Sequence, residues 1–170
     1  MPIDNCSYTF HELAAAILPR YLAALREQLQ TCRPMSEFAV PGKGPAALAR
    51  DCELTADCGG CCVLVKDGVP FYVGISRRLL SRLRQHVIGR GHEDATLAYE
   101  MAHHQYPDLG TRTQAMADPA FRLAFEAAKA ELRGCAVAFV RIDNAVERHL
   151  FEVYCAMTLD THEWNSFETH

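Results

Sequence analysis

The sequence predicts an α+β fold with a small three-stranded antiparallel sheet flanked by helices. Two short apolar runs, residues 61–65 and 69–73, flank an Asp-Gly pair of the kind that closes a β-hairpin. A third apolar run, residues 135–142, is rich in valine and indicates a buried strand. Segments with helical spacing precede the hairpin and separate it from the third run. We therefore expect an N-terminal helical extension and a helical insertion.

The N-terminal extension, residues 10–29, has helical spacing interrupted by Pro19, which predicts two helices or one bent helix. The residues that follow are rich in proline and glycine, so we expect a connecting region with one short helix near residues 46–50. We place the boundary between the extension with its connecting region, residues 1–55, and the main domain, residues 56–170, at the end of this stretch.

A helix is expected directly after the second strand. Gly74 ends that strand, and Ser76 is positioned to cap a helix over residues 77–87. Leu79 and Leu83 share one face of this helix and are expected to pack against the sheet. A neighbouring stripe at intervals of four residues consists of Arg78, Arg82 and His86.

Further helices are predicted on both sides of the third strand. The insertion contains two helical patterns, residues 94–104 and 119–132, with a loop around residues 106–110 between them. After the third strand, Asn144 is positioned to cap a helix over residues 145–159.

The charge of the chain limits the classes of partner. The formal net charge is −4 and the isoelectric point is about 6.0, which argues against a protein that coats nucleic acid non-specifically. A local basic site remains possible, because no acidic residue lies between Asp67 and Glu93. That window holds five arginines: Arg77, Arg78, Arg82, Arg84 and Arg90. The chain shows no export signal and no long apolar run, so we expect a cytoplasmic protein without a membrane partner.

The eight cysteines suggest an alternative reading. Cys52, Cys58 and Cys61 include a C-x-x-C pair with two glycines between the cysteines, which is compatible with a zinc site. The second C-x-x-C of a zinc ribbon is missing, so reduced thiols in the core and loops are the simpler interpretation. The two interpretations stay open at the level of the sequence.

The order of the hairpin, the arginine-rich helix, the third strand and a later helix resembles the GIY-YIG nuclease domain over residues 60–166. In that family two strands carry the motifs Gly-Ile-Tyr and Tyr-Ile-Gly, and the next helix presents a catalytic arginine. Residues 72–74, Tyr-Val-Gly, match the second motif, and Arg82 stands where the catalytic arginine stands. His86 follows one helical turn later.

The resemblance also implies a metal site. The family uses one glutamate on a late helix as the sole protein ligand of a divalent metal, often followed by an asparagine. Glu152 and Asn165 match these two positions. The resemblance therefore implies an endonuclease that hydrolyses phosphodiester bonds in DNA with Mg²⁺ or Mn²⁺. The implied catalytic residues are Tyr72, Arg82, His86, Glu152 and Asn165, and the implied metal ligand is Glu152.

The residue chemistry agrees with these roles. Arginine can bridge phosphate oxygens with its planar fork, and one carboxylate with waters is a usual environment for Mg²⁺. Arg77, Arg78 and Arg84 are expected to contact phosphates without reading sequence. Tyr72 would need nearby positive charge to act as a base, whereas His86 would not. We favour Tyr72 because the family places a tyrosine there.

One departure from the family pattern leaves a second function open. The first motif reads Gly60-Cys61-Cys62, so cysteine replaces the tyrosine that some members use as general base. The alternative function is a nuclease-fold module that binds nucleic acid or a protein partner without cutting. The sequence leaves open the form of nucleic acid and the oligomeric state.

Overall fold

The structure is a computed structural model that describes residues 2–167, and it confirms the α+β class. One antiparallel sheet is formed by β1 (Arg33–Pro34), β2 (Gly60–Lys66), β3 (Val69–Ser76) and β4 (Ala136–Arg141). The strand order is β1-β4-β2-β3. The prediction of three strands was wrong by one, because β1 pairs two residues of the connecting region with the outer edge of β4. A two-residue strand has no alternation for sequence analysis to detect.

The helices lie on both faces of this sheet. They are α1 (Phe10–Glu12), α2 (Leu18–Leu29), α3 (Pro45–Asp51), α4 (Leu79–Ile88), α5 (Thr96–Gln105), α6 (Arg112–Ala117), α7 (Pro119–Gly134) and α8 (Ala145–Leu159). One face carries α4, α5, α7 and a 3₁₀ segment at Met35–Ala39, and the opposite face carries α2 and α8. Within residues 2–167, none of these helices combines the length and the apolar character needed to cross a bilayer.

The N-terminal helical segment continues through Pro19. A π-helical stretch at Leu13–Ile17 joins α1 to α2, and the amide of Leu18 donates to the carbonyl of Leu13, five residues earlier. Pro19 is the second residue of α2 and directly follows the π-helical stretch; it has no amide proton to donate to the preceding turn, and it lies where the regular hydrogen-bond pattern of the α-helix is already interrupted. Leu22 of α2 packs in the same core cluster as Val63 of the sheet.

Helix α4 begins two residues later than predicted, and Ser76 is not its cap. The hydroxyl of Ser76 accepts a hydrogen bond from the amide of Arg78 in the preceding turn. The helix is capped instead by Asp57, whose carboxylate accepts from the amides of Leu80 (2.8 Å) and Ser81 (3.1 Å). Asp57 therefore satisfies amides that lack partners within the helix, and ties α4 to the segment before β2.

The insertion contains one helix that the sequence analysis missed. Helix α6 is short, but Thr111 and Gln114 form a reciprocal capping box at its start. The cap of α8 was predicted correctly, since the side-chain oxygen of Asn144 accepts from the amide of Glu147 at 3.1 Å. The hairpin turn is also confirmed, with positive φ angles at Asp67 (51°) and Gly68 (80°).

We expect Gly60→Ala to destabilise the fold by about 1–3 kcal/mol or more, because the site has no room for a methyl group. A Cβ atom at Gly60 would lie 2.4 Å from the carbonyl oxygen of Val140 and 3.0 Å from Cδ2 of Leu79. Urea unfolding checks this expectation. Gly134→Ala is the matched control, because a Cβ atom there meets nothing within 4 Å. Equal unfolding midpoints for the two variants would contradict this close packing.

Candidate functional site

A β-bulge in the hairpin decides where Tyr72 points. Leu64 pairs with Tyr72 and Val65 with Pro70, so Phe71 is an extra residue in β3. If the pairing continued regularly from Val65 and Pro70, Phe71 would oppose Leu64, and the side chain of Tyr72 would point to the other face of the sheet. The bulge therefore places Tyr72 on the same face of the sheet as α4.

Gly74 gives the Tyr72 ring its position. A Cβ atom at Gly74 would lie 2.9 Å from Cε1 and 3.1 Å from the hydroxyl oxygen of Tyr72. The ring thus lies over the glycine, and a side chain at position 74 would displace it. Cys62 is the cross-strand partner of Gly74, and its thiol contacts the Gly74 carbonyl at 3.5 Å. The glycine of the Tyr-Val-Gly motif is required by this packing.

Helix α4 supplies Arg82 and His86. The His86 ring is buried and stands edge-on to the Tyr72 ring, with a centroid distance of 5.9 Å. Its Nδ1 atom is buried without a hydrogen-bond partner within the described residues. The Arg82 guanidinium donates from Nη1 to the backbone carbonyl of Asp94 at 2.8 Å and from Nη2 to the hydroxyl of Thr96. Both acceptors are uncharged, and Arg82 forms no ion pair with any of residues 2–167.

Helix α8 supplies Glu152. Its carboxylate is partly buried, and within residues 2–167 it makes no hydrogen bond or ion pair. Burial raises the pKa of Glu152 to about 6. The charge of Glu152 in turn raises the pKa values of Tyr72 and Cys62, which lie on β3 and β2, the two strands that α8 contacts. An unpaired and desolvated carboxylate of this kind suits a bound cation.

We call Tyr72, Cys62, Arg82, His86 and Glu152 the Tyr72 cluster. Burial raises the pKa of Tyr72 well above its ordinary value, with further contributions from Cys62 and Glu152 that outweigh the opposing effect of Arg82. Burial and the Arg82 charge lower the pKa of His86 to about 3. The phenol is therefore protonated and the imidazole neutral at neutral pH, so His86 does not keep the ordinary pKa that the sequence analysis assumed.

The cysteine that replaces the first-motif tyrosine is a core residue. Burial raises the pKa of Cys62 to about 12, against smaller lowering effects of Arg82 and the Gly74 carbonyl. A thiol with this pKa is protonated at neutral pH and is a poor nucleophile. Cys61 lies on the opposite face of the strand, and the neighbouring Cys155 thiol, followed by burial, raises its pKa as well.

Asn165 anchors the C-terminal segment to the edge of the sheet. Its amide oxygen accepts from the amide of Val73 at 2.9 Å, and its amide nitrogen donates to the carbonyl of the same residue at 2.8 Å. Thr161 donates to the same amide oxygen at 2.8 Å. Asn165 is thus next to Tyr72 along the backbone, and its contacts are those of a positioning residue.

The three arginines expected to contact phosphate have different surroundings. Arg77 and Arg78 are exposed, and Arg78 lies 3.9 Å from the Asp57 carboxylate. Arg84 donates to three backbone carbonyls of the connecting region, those of Phe38, Val40 and Lys43. The contacts of Arg84 differ from the predicted phosphate contact, because the guanidinium holds the chain itself.

The structure brings together residues that are distant in sequence, but not all of them touch. Tyr72 and His86 are in ring contact, and the charges of Arg82 and Glu152 both act on Tyr72. Within the described residues no ion pair joins Arg82 to Glu152. Sequence reasoning missed Asp57, which caps α4, and Thr96, which accepts a hydrogen bond from Arg82. Both contacts join residues that are distant in the sequence, so no local pattern indicates them.

The cysteines suggested as zinc ligands are not gathered into a site. Among residues 2–167, no group of three or more His, Cys, Asp or Glu side chains has the arrangement of a metal site. Cys61 belongs to strand β2, whereas Cys52 follows α3. Glu152 therefore belongs to no such group within the described residues, and a metal there would need water and substrate oxygens among its ligands.

Comparisons with known proteins do not assign the chain to a family. No family model matches it, and no curated protein or solved structure matches it.

Proposed function

We propose that this chain is a divalent-metal-dependent endonuclease that hydrolyses phosphodiester bonds in DNA. One observation carries the proposal: the Tyr72 cluster contains a cation and an anion, Arg82 and Glu152, and neither is neutralised within the described residues. Unpaired charges in partly buried surroundings are costly unless a ligand neutralises them. A phosphate group suits Arg82, and a divalent cation suits Glu152.

The arrangement of the elements supports a GIY-YIG-like architecture as part of the same proposal. Strand β4 lies beside β2, the first strand of the hairpin, and α4 follows the hairpin directly. Glu152 lies on the helix after β4. This is the order on which the resemblance rests, and it supports the proposal.

The residues of the chain have separate tasks in this reaction. Arg82 has five N–H donors, of which two are bound to Asp94 and Thr96, and the others would hold phosphate oxygens. Glu152 would hold Mg²⁺ or Mn²⁺, which supplies charge neutralisation and an acidic water. The Tyr72 phenol is protonated and can donate a hydrogen bond, and His86, with its pKa lowered to about 3, is neutral and a weak base. Neither side chain therefore suits the role of proton acceptor as it stands, and the acidic water of the bound cation would carry this step.

A test of the proposal is incubation with labelled duplex, single-stranded and branched DNA, and with RNA, in the presence of Mg²⁺ or Mn²⁺. We expect cleavage of at least one DNA form. If the protein binds these substrates and cuts none of them, the proposal fails.

A binding module without nuclease activity is the second candidate. The specific observation in its favour is Cys62, a buried and protonated thiol where the family has a tyrosine. Binding to DNA with no cleavage under any metal condition is the result that supports it.

The pH dependence of cleavage should follow the ionisation of Glu152, whose pKa is raised to about 6. Below this pKa the carboxyl group is protonated and neutral, so it holds a cation poorly; above it the carboxylate is charged. We expect the cleavage rate at limiting Mg²⁺ to rise between pH 5 and pH 7 and then level off. More Mg²⁺ should shift the midpoint to lower pH, because metal and proton compete. A midpoint independent of Mg²⁺ would contradict the role of Glu152.

Phosphate contacts by Arg77 and Arg78 should appear in the salt dependence of DNA binding. Each lost duplex phosphate contact lowers the slope of log affinity against log salt by about 0.9. Replacing both arginines with serine should therefore reduce the slope by about 2. The matched control replaces the exposed Arg26 and Arg122, which lie on α2 and α7. Equal slopes for the two double variants would show that Arg77 and Arg78 do not contact phosphate.

A further inference from the structure

A polar cavity lies beside the C-terminal segment, outside the Tyr72 cluster. Its volume is about 420 Å³, and it opens between α5 and the residues that follow α8. We call it the Trp164 pocket; it is lined by Glu100, His103, His104, Glu163, Trp164 and Ser166. None of these residues has a task in the proposed cleavage reaction.

Aromatic rings form part of the wall of the Trp164 pocket. The rings of His104 and Trp164 are 5.7 Å apart, and His103 stacks on Tyr99 at 5.9 Å with an interplanar angle of 19°. Trp164 is held by packing against the core on the α4 side of the sheet, while part of it is exposed. Partly exposed rings that are fixed from behind offer flat surfaces on which a planar ligand can stack.

The charges of the Trp164 pocket select the kind of planar ligand. Glu100 and Glu163 line it, and Arg112 pairs with Glu100 at 3.3 Å outside the lining. Carboxylates repel phosphate but accept hydrogen bonds, and amino groups on base edges are suitable donors. A neutral base with an exocyclic amino group fits this pocket, whereas a backbone phosphate does not.

The Trp164 pocket is connected to the Tyr72 cluster through two elements. Asn165, the residue after Trp164, is hydrogen-bonded to Val73, the neighbour of Tyr72. Helix α5 begins at Thr96, which binds Arg82, and reaches the pocket at His104. Eight residues at 1.5 Å each separate these two positions by about 12 Å along the helix axis. A few nucleotides can span this distance, because each step of a stacked strand rises about 3.4 Å and an unstacked step spans more.

We infer that the Trp164 pocket binds an unpaired nucleobase with an exocyclic amino group, a few nucleotides from the bond cut at the Tyr72 cluster; this rests on the proposed nuclease function. Single-stranded nucleic acids bind proteins by stacking bases on aromatic side chains, and a base inside a duplex cannot enter such a pocket. The substrate class is therefore DNA with unpaired nucleotides beside the cleavage position, such as a single strand or a branched form.

Trp164 is the sole tryptophan, so its fluorescence reports on this pocket directly. The experiment titrates the full chain, in EDTA to prevent cleavage, with single-stranded 12-mers of cytidine, thymidine and abasic deoxynucleotides. We expect saturable quenching by the cytidine strand, weaker quenching by the thymidine strand and almost none by the abasic strand. Equal quenching by the abasic strand would overturn the inference, because only phosphates and sugars could then be responsible. Equal quenching by the cytidine and thymidine strands would overturn the selectivity for amino groups.

Two variants sharpen this test. His104→Ala removes one exposed ring and should weaken binding of the cytidine strand about tenfold. Glu163→Gln should reduce the preference for cytidine over thymidine. The control is His11→Ala, an exposed histidine of α1 that does not line the pocket. Unchanged affinity in His104→Ala would overturn the inference.

The outcome can be separated from that of the proposed function. If the quenching depends on the bases but the protein cuts no substrate, the inference that the Trp164 pocket binds a base stands and the proposed nuclease function fails. If the protein cuts DNA but its fluorescence does not depend on the bases, the proposed nuclease function stands and the inference about the Trp164 pocket fails.

Discussion

Glu152→Ala is expected to reduce metal-dependent cleavage by roughly a thousandfold while leaving DNA binding unchanged or tighter. A bound metal ion stabilises the charge of the transition state by several kcal/mol, so its loss raises the activation barrier by a similar amount. Each increase of about 1.36 kcal/mol in the barrier slows the reaction tenfold. Binding should not suffer, because the variant removes a negative charge from the neighbourhood of the phosphate. Single-turnover cleavage and a binding titration with the same protein preparation measure the two effects.

Glu27→Ala is the control for Glu152→Ala, because Glu27 is an exposed glutamate of α2 without a place in the Tyr72 cluster. It should cut at the wild-type rate. The fold should tolerate Glu152→Ala, since the carboxylate makes no hydrogen bond or ion pair within the described residues. A Glu152→Ala protein that cuts as fast as the control would contradict the assignment of Glu152 as the metal ligand.

Arg82→Lys should slow cleavage by about 100- to 1000-fold, although the positive charge is kept. A lysine cannot bind Asp94, Thr96 and phosphate oxygens together, because it lacks the planar fork of arginine. Affinity for DNA should change much less than the rate, because the arginine is expected to act mainly in the transition state. Single-turnover rates with saturating protein separate the two effects.

The structural role of Arg82 requires its own control. Thr96→Val removes the hydrogen bond that holds the guanidinium and leaves the charge of Arg82 in place. We expect a smaller loss of cleavage in this variant than in Arg82→Lys, with stability measured for both. Equal losses of cleavage in Thr96→Val and Arg82→Lys would show that Arg82 acts only by holding α5 to α4.

Much of the fold could be predicted because its signals are local. The Asp67-Gly68 turn needs positive φ angles, and the Asn144 cap lies within three residues of its partner. The features that were missed depend on distant partners. Asp57 caps α4 from 23 residues away, and β1 exists only because β4 offers it an edge. The spacing of residues along the sequence does not indicate these contacts, because each one joins distant parts of the chain.

The candidate site shows the same division. Tyr72, Arg82 and Glu152 could be selected from motif order, and the charges of Arg82 and Glu152 both affect the pKa of Tyr72. The pKa values of Glu152 and His86 could not be predicted from the sequence, because burial determines their shifts. The structural role of Arg84 could not be predicted either, because its acceptors are backbone carbonyls about forty residues earlier in the chain. Every residue carries a backbone carbonyl, so the sequence does not indicate which of them will accept.

A chelation experiment on wild-type protein is decisive for metal-dependent cutting. Cleavage of single-stranded and branched DNA is followed first with Mg²⁺, then with excess EDTA, and then after Mg²⁺ has been restored. We predict cutting in the first condition, none in the second and recovery in the third. Cutting that persists in EDTA, or no cutting of any DNA or RNA in all three conditions, would contradict a metal-dependent nuclease.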